Sequence, residues 1–241
     1  MGARDSCIMN LLMWYAAYLI YFRDDPARPG LQMLSVQQDL LLVEASDPYK
    51  AYNKASTHGK QTAFASEDSE FSFQGLTDLI PLPAGVHDGV IIDTASDSID
   101  STEIPLFLAS KDTFTVRAQE TELEVDGSEH WYLAQLVFSS LPQWELAEAR
   151  QQVMKELMLV RAVESDAAFY RAVVFGKDRS IRLNPPQPGG QWHFRGLNDL
   201  TFVERQIEDG TQLLSERFQV PFGHHSSLVK PKELMKALIV H

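Results

Sequence analysis

The chain has 241 residues, 44% hydrophobic and 22% charged, a globular composition rather than a disordered or fibrous one. Its single cysteine, Cys7, excludes an intramolecular disulfide and points to a reducing compartment. With 21 Lys+Arg against 33 Asp+Glu, the net charge of −12 argues against a broad nucleic-acid-binding face, because phosphate contacts need clustered Lys and Arg.

The first element is ambiguous on hydropathy alone. The run CIMNLLMWYAAYLIYF at 7–22 has 16 residues with Asn10 inside it. A spanning helix needs about 20 apolar residues. Asp5 offsets Arg4 ahead of the run, and bulky Tyr and Phe fill the stretch where a small-residue cleavage site would lie. The expectation is a buried β-strand at 14–22, with 1–12 an N-terminal extension ahead of a natural start at Met13.

An internal repeat supports the strand reading. WYAAYLIYF at 14–22 recurs as WYLAQLVFS at 131–139, an offset of 117. The same offset aligns DLLLVEAS at 39–46 with ELMLVRAV at 156–163, and AYNKASTHGK at 51–60 with AFYRAVVFGK at 168–177. After a four-residue insertion, FSFQGLTDL at 71–79 aligns with WHFRGLNDL at 192–200, and Asp88-Gly89 with Asp209-Gly210, at an offset of 121. A segment at 131–139 is mid-chain and cannot be a signal peptide, so its twin at 14–22 is read as a strand as well.

Each copy reads as ββαββ. A first strand at 14–22 is followed by a variable stretch at 23–37; the matching 143–155, rich in helix formers, predicts a short helix. The apolar run 39–46 is the second strand. Asp47 and Pro48 are N-cap and N1 of a helix over 48–58, with Ala51, Tyr52 and Ala55 facing inward; Ser165 or Asp166 caps the second copy. Gly59 and Gly176 suit a C′ position of positive φ, with Lys60 and Lys177 near the helix dipole's negative end. The third strand is long, 70–82 and 191–204, and Gly75 and Gly196 predict a bulge. The Asp-Gly pairs signal hairpins into fourth strands at 90–95 and 211–217. The fold class expected is therefore α+β, two tandem ββαββ repeats, each an antiparallel sheet with one main helix packed on it. The domains are 1–12 N-terminal extension, 13–110 repeat domain 1, 111–128 acidic linker, 129–222 repeat domain 2, and 223–241 C-terminal tail with a helix over 231–240.

The Trp-Tyr strand, L-x-x-A strand, Ala-spaced helix, G-L-x-D-L block and Asp-Gly pair together resemble a small bacterial domain family of unknown function, about 100 residues long. The resemblance covers 14–95 and 131–217. It implies a soluble α+β cytoplasmic domain, with some members in neighbourhoods suggestive of toxin–immunity systems, and it carries over no catalytic residue. Two copies in one chain, and Arg161 in place of Glu44, depart from the family pattern.

No motif names a chemistry. There is no H-E-x-x-H, Walker A, G-x-G-x-x-G or G-x-S-x-G, and none of the seven histidines recurs at equivalent positions. His224-His225 is adjacent on the chain and is not read as a metal site. No catalytic residue, cofactor or metal is expected. Trp14-Tyr15 and Trp131-Tyr132 read first as core aromatics, with the Trp packing the helix, and otherwise as a ligand platform. Asp78 and Asp199 read as acceptors of backbone hydrogen bonds at a strand bend, and otherwise as general acids or bases. The stretch DTASDSIDSTE at 93–103 reads as a solvated loop or a surface for a basic partner. With the linker acids it offers Asp93, Asp97, Asp100, Glu103, Glu120, Glu122 and Glu124. The first functional expectation is a non-enzymatic cytoplasmic protein-binding module, narrowed to an immunity protein neutralising a basic toxin, with a protein partner, no nucleic acid and no membrane. The alternatives are an enzyme with a site at the repeat interface, built from Trp14, Tyr15, Asp78, Trp131, Tyr132 and Asp199, and a structural or regulatory subunit imitating an ancestral homodimer.

Overall fold

The computed structural model describes residues 12–23, 33–65, 71–88, 90–99, 128–141, 151–183, 191–204, 206–208, 211–221 and 235. Among the described residues it is α+β, with two antiparallel four-stranded sheets and two helices. In chain order the elements are β1 (Met13–Arg23), β2 (Met33–Ala45), α1 (Pro48–Ala65), β3 (Ser72–Leu82), β4 (Ile91–Ile99), β5 (His130–Leu141), β6 (Gln151–Ala162), α2 (Ser165–Leu183), β7 (Gln191–Glu204) and β8 (Gln212–Pro221).

The sheets trade their fourth strands. One has the order β3-β1-β2-β8 and the other β4-β6-β5-β7. The chain accordingly divides into one compact unit of residues 1–85 with 208–241 and a second of residues 86–207. The spans 13–110 and 129–222 describe the repeat in the sequence; the packed units are assembled from both. The exchange is reciprocal in detail. Leu40 pairs with Leu214 and Leu157 with Asp93, equivalent positions in the two copies, and a register irregularity follows at the same place in each.

The Asp-Gly pairs therefore do not close hairpins between neighbouring strands. Val90 N–H donates to His87 C=O at 3.0 Å, and Thr211 N–H to Glu208 C=O at 3.0 Å, while Gly89, Asp209 and Gly210 lie outside the described residues. What differs from the expectation is the strand that follows. Asp88 Oδ1 accepts the Arg161 N–H at 2.8 Å, and its other oxygen pairs with the Arg171 guanidinium. These bonds fasten the first turn to β6 and α2 rather than back onto β3.

β1 explains why the opening run looked like a membrane segment. Tyr15, Ala17, Leu19 and Tyr21 face the helix-side core, while Ala16, Ile20 and Phe22 on the opposite face are buried as well. A strand covered on both faces reads as a continuous apolar run rather than an alternating one. Among the described residues no helix is long and apolar enough to cross a membrane. Residues 1–11 lie outside the described residues; so do 142–150, most of the linker, and the C-terminal helix reading apart from Met235, which is fully buried in the core of the first unit.

The short helix expected over 143–155 is overturned for 151–155, which belong to β6. That strand is hydrogen-bonded on both sides, to β4 and β5, and this tertiary pairing overrides the helix propensity of Gln, Met and Lys. Residues 93–99 are likewise not a loop but part of β4, which among the described residues hydrogen-bonds only to β6 and so forms an edge of its sheet.

Asp47 caps α1 as expected. Its Oδ1 accepts the Lys50 N–H at 2.8 Å, and this bond above all holds its carboxyl below the usual carboxylate range. In the second copy the helix opens at Ser165, and the Ala168 N–H reaches Glu164 C=O, as Ala51 N–H reaches Asp47 C=O. The cap position therefore falls on Glu164.

Both helices run past the glycines that were expected to end them, so Lys60 and Lys177 are exposed mid-helix residues rather than C-terminal ones. Gly59 and Gly176 continue the buried Ala51–Ala55 and Ala168–Ala172 rows. Each lets the helix approach the third strand of its sheet. A Cβ on Gly59 would enter the Phe73 ring and lie 2.7 Å from a Leu19 methyl, and one on Gly176 would enter the Phe194 ring. Among the described residues the glycines with positive φ are Gly75 (152°) and Gly196 (149°), each between two irregularities of the β1–β3 or β5–β7 register, as predicted, together with Gly85 (73°) in the turn after β3.

Gly59→Ala decides which effect wins. In an unconstrained helix interior the change gains about 1 kcal/mol; here overpacking against the Phe73 ring costs about 1–3 kcal/mol. The expected result is a lower midpoint in urea for Gly59→Ala, relieved by adding Phe73→Leu. An additive pair of single effects would contradict the close approach.

Candidate functional site

The residues expected to form an interface site are divided between the two units. Trp14, Tyr15 and Asp78 belong to the first compact unit, and Trp131, Tyr132 and Asp199 to the second. Within each unit the aspartate sits opposite a residue four positions along from the Trp, Tyr18 facing Asp78 and Gln135 facing Asp199. That places Trp and Asp about 13 Å apart along the strand.

The aromatic pairs split by face. Tyr15 and Tyr132 are the core members, each about 1% exposed, while Trp14 and Trp131 are half-buried and stand outside both helix-side clusters. The expectation that the Trp packs the helix is thus corrected, because strand alternation gives that face to the Tyr. Burial pushes both Tyr hydroxyls up, aided by the Asp47 carboxylate for Tyr15 and by Glu164 for Tyr132. Trp131 carries the Arg161 guanidinium over its ring at 5.7 Å, and Arg161 Nε pairs with Glu129 at 3.2 Å. Asp78 Oδ1 accepts the Leu79 N–H at 2.9 Å, the backbone role expected at a strand bend. Asp199 Oδ2 instead accepts the Thr201 hydroxyl at 3.1 Å.

Of the acids proposed for a basic partner, Asp93 and Asp97 lie on β4; Asp93 Oδ1 accepts the Thr94 N–H at 2.7 Å. Asp100, Glu103, Glu120, Glu122 and Glu124 lie outside the described residues. Among the described residues no three His, Cys, Asp or Glu side chains are grouped to hold a metal ion.

Two buried carboxylates at equivalent positions were missed. Asp39 on β2 is 4% exposed and Glu156 on β6 is 0% exposed. Their signal was an acid recurring at the head of an apolar run in both copies. Glu156 takes three hydrogen bonds from Arg179 on α2, with Nε at 3.2 and 3.1 Å and Nη2 at 2.9 Å. In the first unit Thr62 replaces Arg179, and Asp39 is held instead by Gln37 Nε2 at 3.1 Å. Burial, and after it the Asp39 carboxylate, push the Tyr21 hydroxyl strongly upward against the opposing hydrogen bond with Thr62. One frame thus holds two different polar interiors.

Two further surfaces diverge between the helices. The side of α1 toward the end of β2 carries Lys50, Asn53, Lys54, Thr57 and His58, which line an open groove of about 670 Å³. The counterparts on α2 are Ala167, Tyr170, Arg171, Val174 and Phe175. There Tyr170, Val174 and, further along, Ile181 are large apolar side chains left in solvent. Comparison with protein-family models, with curated proteins and with solved structures finds no match.

Removing Arg179 leaves a fully buried carboxylate unpaired. Arg179→Ala is expected to cost about 3 kcal/mol, whereas Glu156→Leu with Arg179→Met is close to neutral. Urea unfolding of the three chains checks this. A double variant as unstable as Arg179→Ala would mean that the pair does more than neutralise itself.

Proposed function

We propose that the chain is a protein-binding module made of two ββαββ repeats, and that its partner docks on the outer face of α2. The observation that carries this reading is the exposed row Tyr170, Val174 and Ile181, at 58, 56 and 73%. Four- and seven-residue spacing puts all three on one side of the helix. Single exposed apolar residues are ordinary; a row on one helix face marks an interaction surface. The fold does not require Tyr170 and Val174, since Asn53 and Thr57 occupy their positions in α1, while Ile181 aligns with Phe64. An apolar row on a helix suits a partner helix or groove that reads anchors at this spacing.

The narrower form of the reading, a non-enzymatic cytoplasmic immunity protein covering a basic toxin, is supported by the net charge of −12 and by Asp93 and Asp97 on the edge strand β4. Such charge speeds encounter and fixes partner choice more than it adds affinity. The resemblance to the small bacterial domain family belongs to the same reading. Reciprocal strand exchange favours descent of the two units from a homodimer that traded fourth strands, which also suits a regulatory subunit.

The test is affinity capture from the native host with the wild type and with Val174→Glu/Ile181→Glu. The expected outcome is a stoichiometric partner whose capture weakens at least about tenfold in the double variant, with an unchanged thermal midpoint. Equal capture by both chains would remove α2 from the interface.

A further inference from the structure

The groove in the first unit has two unlike walls. The aliphatic wall is Leu12 ahead of β1, 57% exposed, over the rims of Leu41 and Val43 on β2, each 2% exposed. α1 supplies Lys50, Lys54 and His58, spaced four apart and therefore one ridge. Both ammonium groups are turned toward the strand end. Lys54 Nζ donates to the Glu44 carbonyl at 2.8 Å, and Lys50 Nζ to the Ser46 hydroxyl at 2.7 Å, with Asp47 at 3.2 Å. In a chain with 33 acids against 21 bases, this lining holds, among the described residues, two lysines and one carboxylate, Glu44.

The second unit shows that the fold does not dictate this wall. Ala167 and Phe175 replace Lys50 and His58, and the remaining cation, Arg171, pairs with Asp88 as Lys50 pairs with Asp47. The cationic ridge is a property of the first unit's sequence, kept beside an apolar strand.

The geometry points to a binding site for a small amphiphilic carboxylate, an aliphatic body along Leu41, Val43 and Leu12 with its head group at Lys54 and Lys50. The volume, about 670 Å³, is that of a small-molecule pocket. Ammonium–carboxylate hydrogen bonds are strong and orient the head, and the apolar wall takes the chain. A single negative charge suits the site better than a dianion, because Glu44 stands in the same lining. This proposal is independent of the α2 face and survives or falls without it.

The experiment titrates the full chain with decanoate, decan-1-ol and decylammonium, read by amide chemical shifts and calorimetry. Decanoate should bind saturably at one per chain, with shifts centred on 41–61. It should bind at least about tenfold more tightly than decanol, and decylammonium should not bind. Lys54→Glu should weaken decanoate at least about tenfold. Thr57→Trp fills the groove from an exposed position; it should abolish binding while leaving the thermal midpoint in place. Equal binding of decanoate and decanol, shifts centred on α2, binding unchanged in Thr57→Trp, or no saturation below about 1 mM would each overturn the assignment.

Discussion

Everything in this architecture depends on how the edges of β2 and β6 are completed. Each strand pairs on one side with the strand that precedes it, β1 or β5, and on the other with a strand from the opposite half of the sequence. Without β8 and β4 the apolar runs Leu40–Val43 and Leu157–Val160 would border open edges, with rows of unpaired N–H and C=O groups beside buried side chains. β3 and β4, and likewise β7 and β8, thus belong to different units rather than pairing as hairpins, and each unit holds a strand that the other half encodes. A cut between β3 and β4, or between β7 and β8, would remove a strand from a sheet.

On that shared frame the two copies have diverged where the frame permits it. Close helix–sheet approach is kept in both, through Ala51, Ala55 and Gly59 and through Ala168, Ala172 and Gly176. The polar interior is not kept. One unit holds a bidentate Arg179–Glu156 pair, while the other holds Asp39 with Gln37 below the Tyr21 hydroxyl. The outer helix surfaces differ more still, donor-rich on α1 and apolar on α2.

The element sequence was legible because the repeat sets each segment against a twin. The mid-chain copy of the opening apolar run identified it as a strand, and its unbroken hydropathy follows from burial of both faces. Strand partners were not legible. A tight Asp-Gly turn has the same local chemistry whether the next strand folds back or crosses away, and the deciding contacts, from Asp88 to Arg161 and Arg171, lie more than seventy residues along the chain. Gly59 and Gly176 were misread because a glycine before a lysine resembles a helix end. Their place in a four-residue row of small side chains was the better signal. The groove needed the sheet: Lys50, Lys54 and His58 are visible as a helix ridge, but only the fold sets them beside Leu41 and Val43. Of the acids proposed for a partner surface, Asp93 and Asp97 lie on β4 and the others lie outside the described residues.

The measurement that bears most directly on the exchange is cysteine pairing across the proposed ladders. Ala95 faces Lys155 in β4–β6, and Gln38 faces Glu216 in β2–β8. Directly opposed Cβ atoms in antiparallel strands lie about 4.5–5.5 Å apart, close enough for mild oxidation to join them. In a Cys7→Ser background, both the Ala95→Cys/Lys155→Cys and the Gln38→Cys/Glu216→Cys chains should form intramolecular disulfides, identified by non-reducing peptide mapping, without loss of the native fold. If neither pair closes, and cysteines placed across β3 and β4 do, the fourth strands fold back as hairpins and the exchange is refuted.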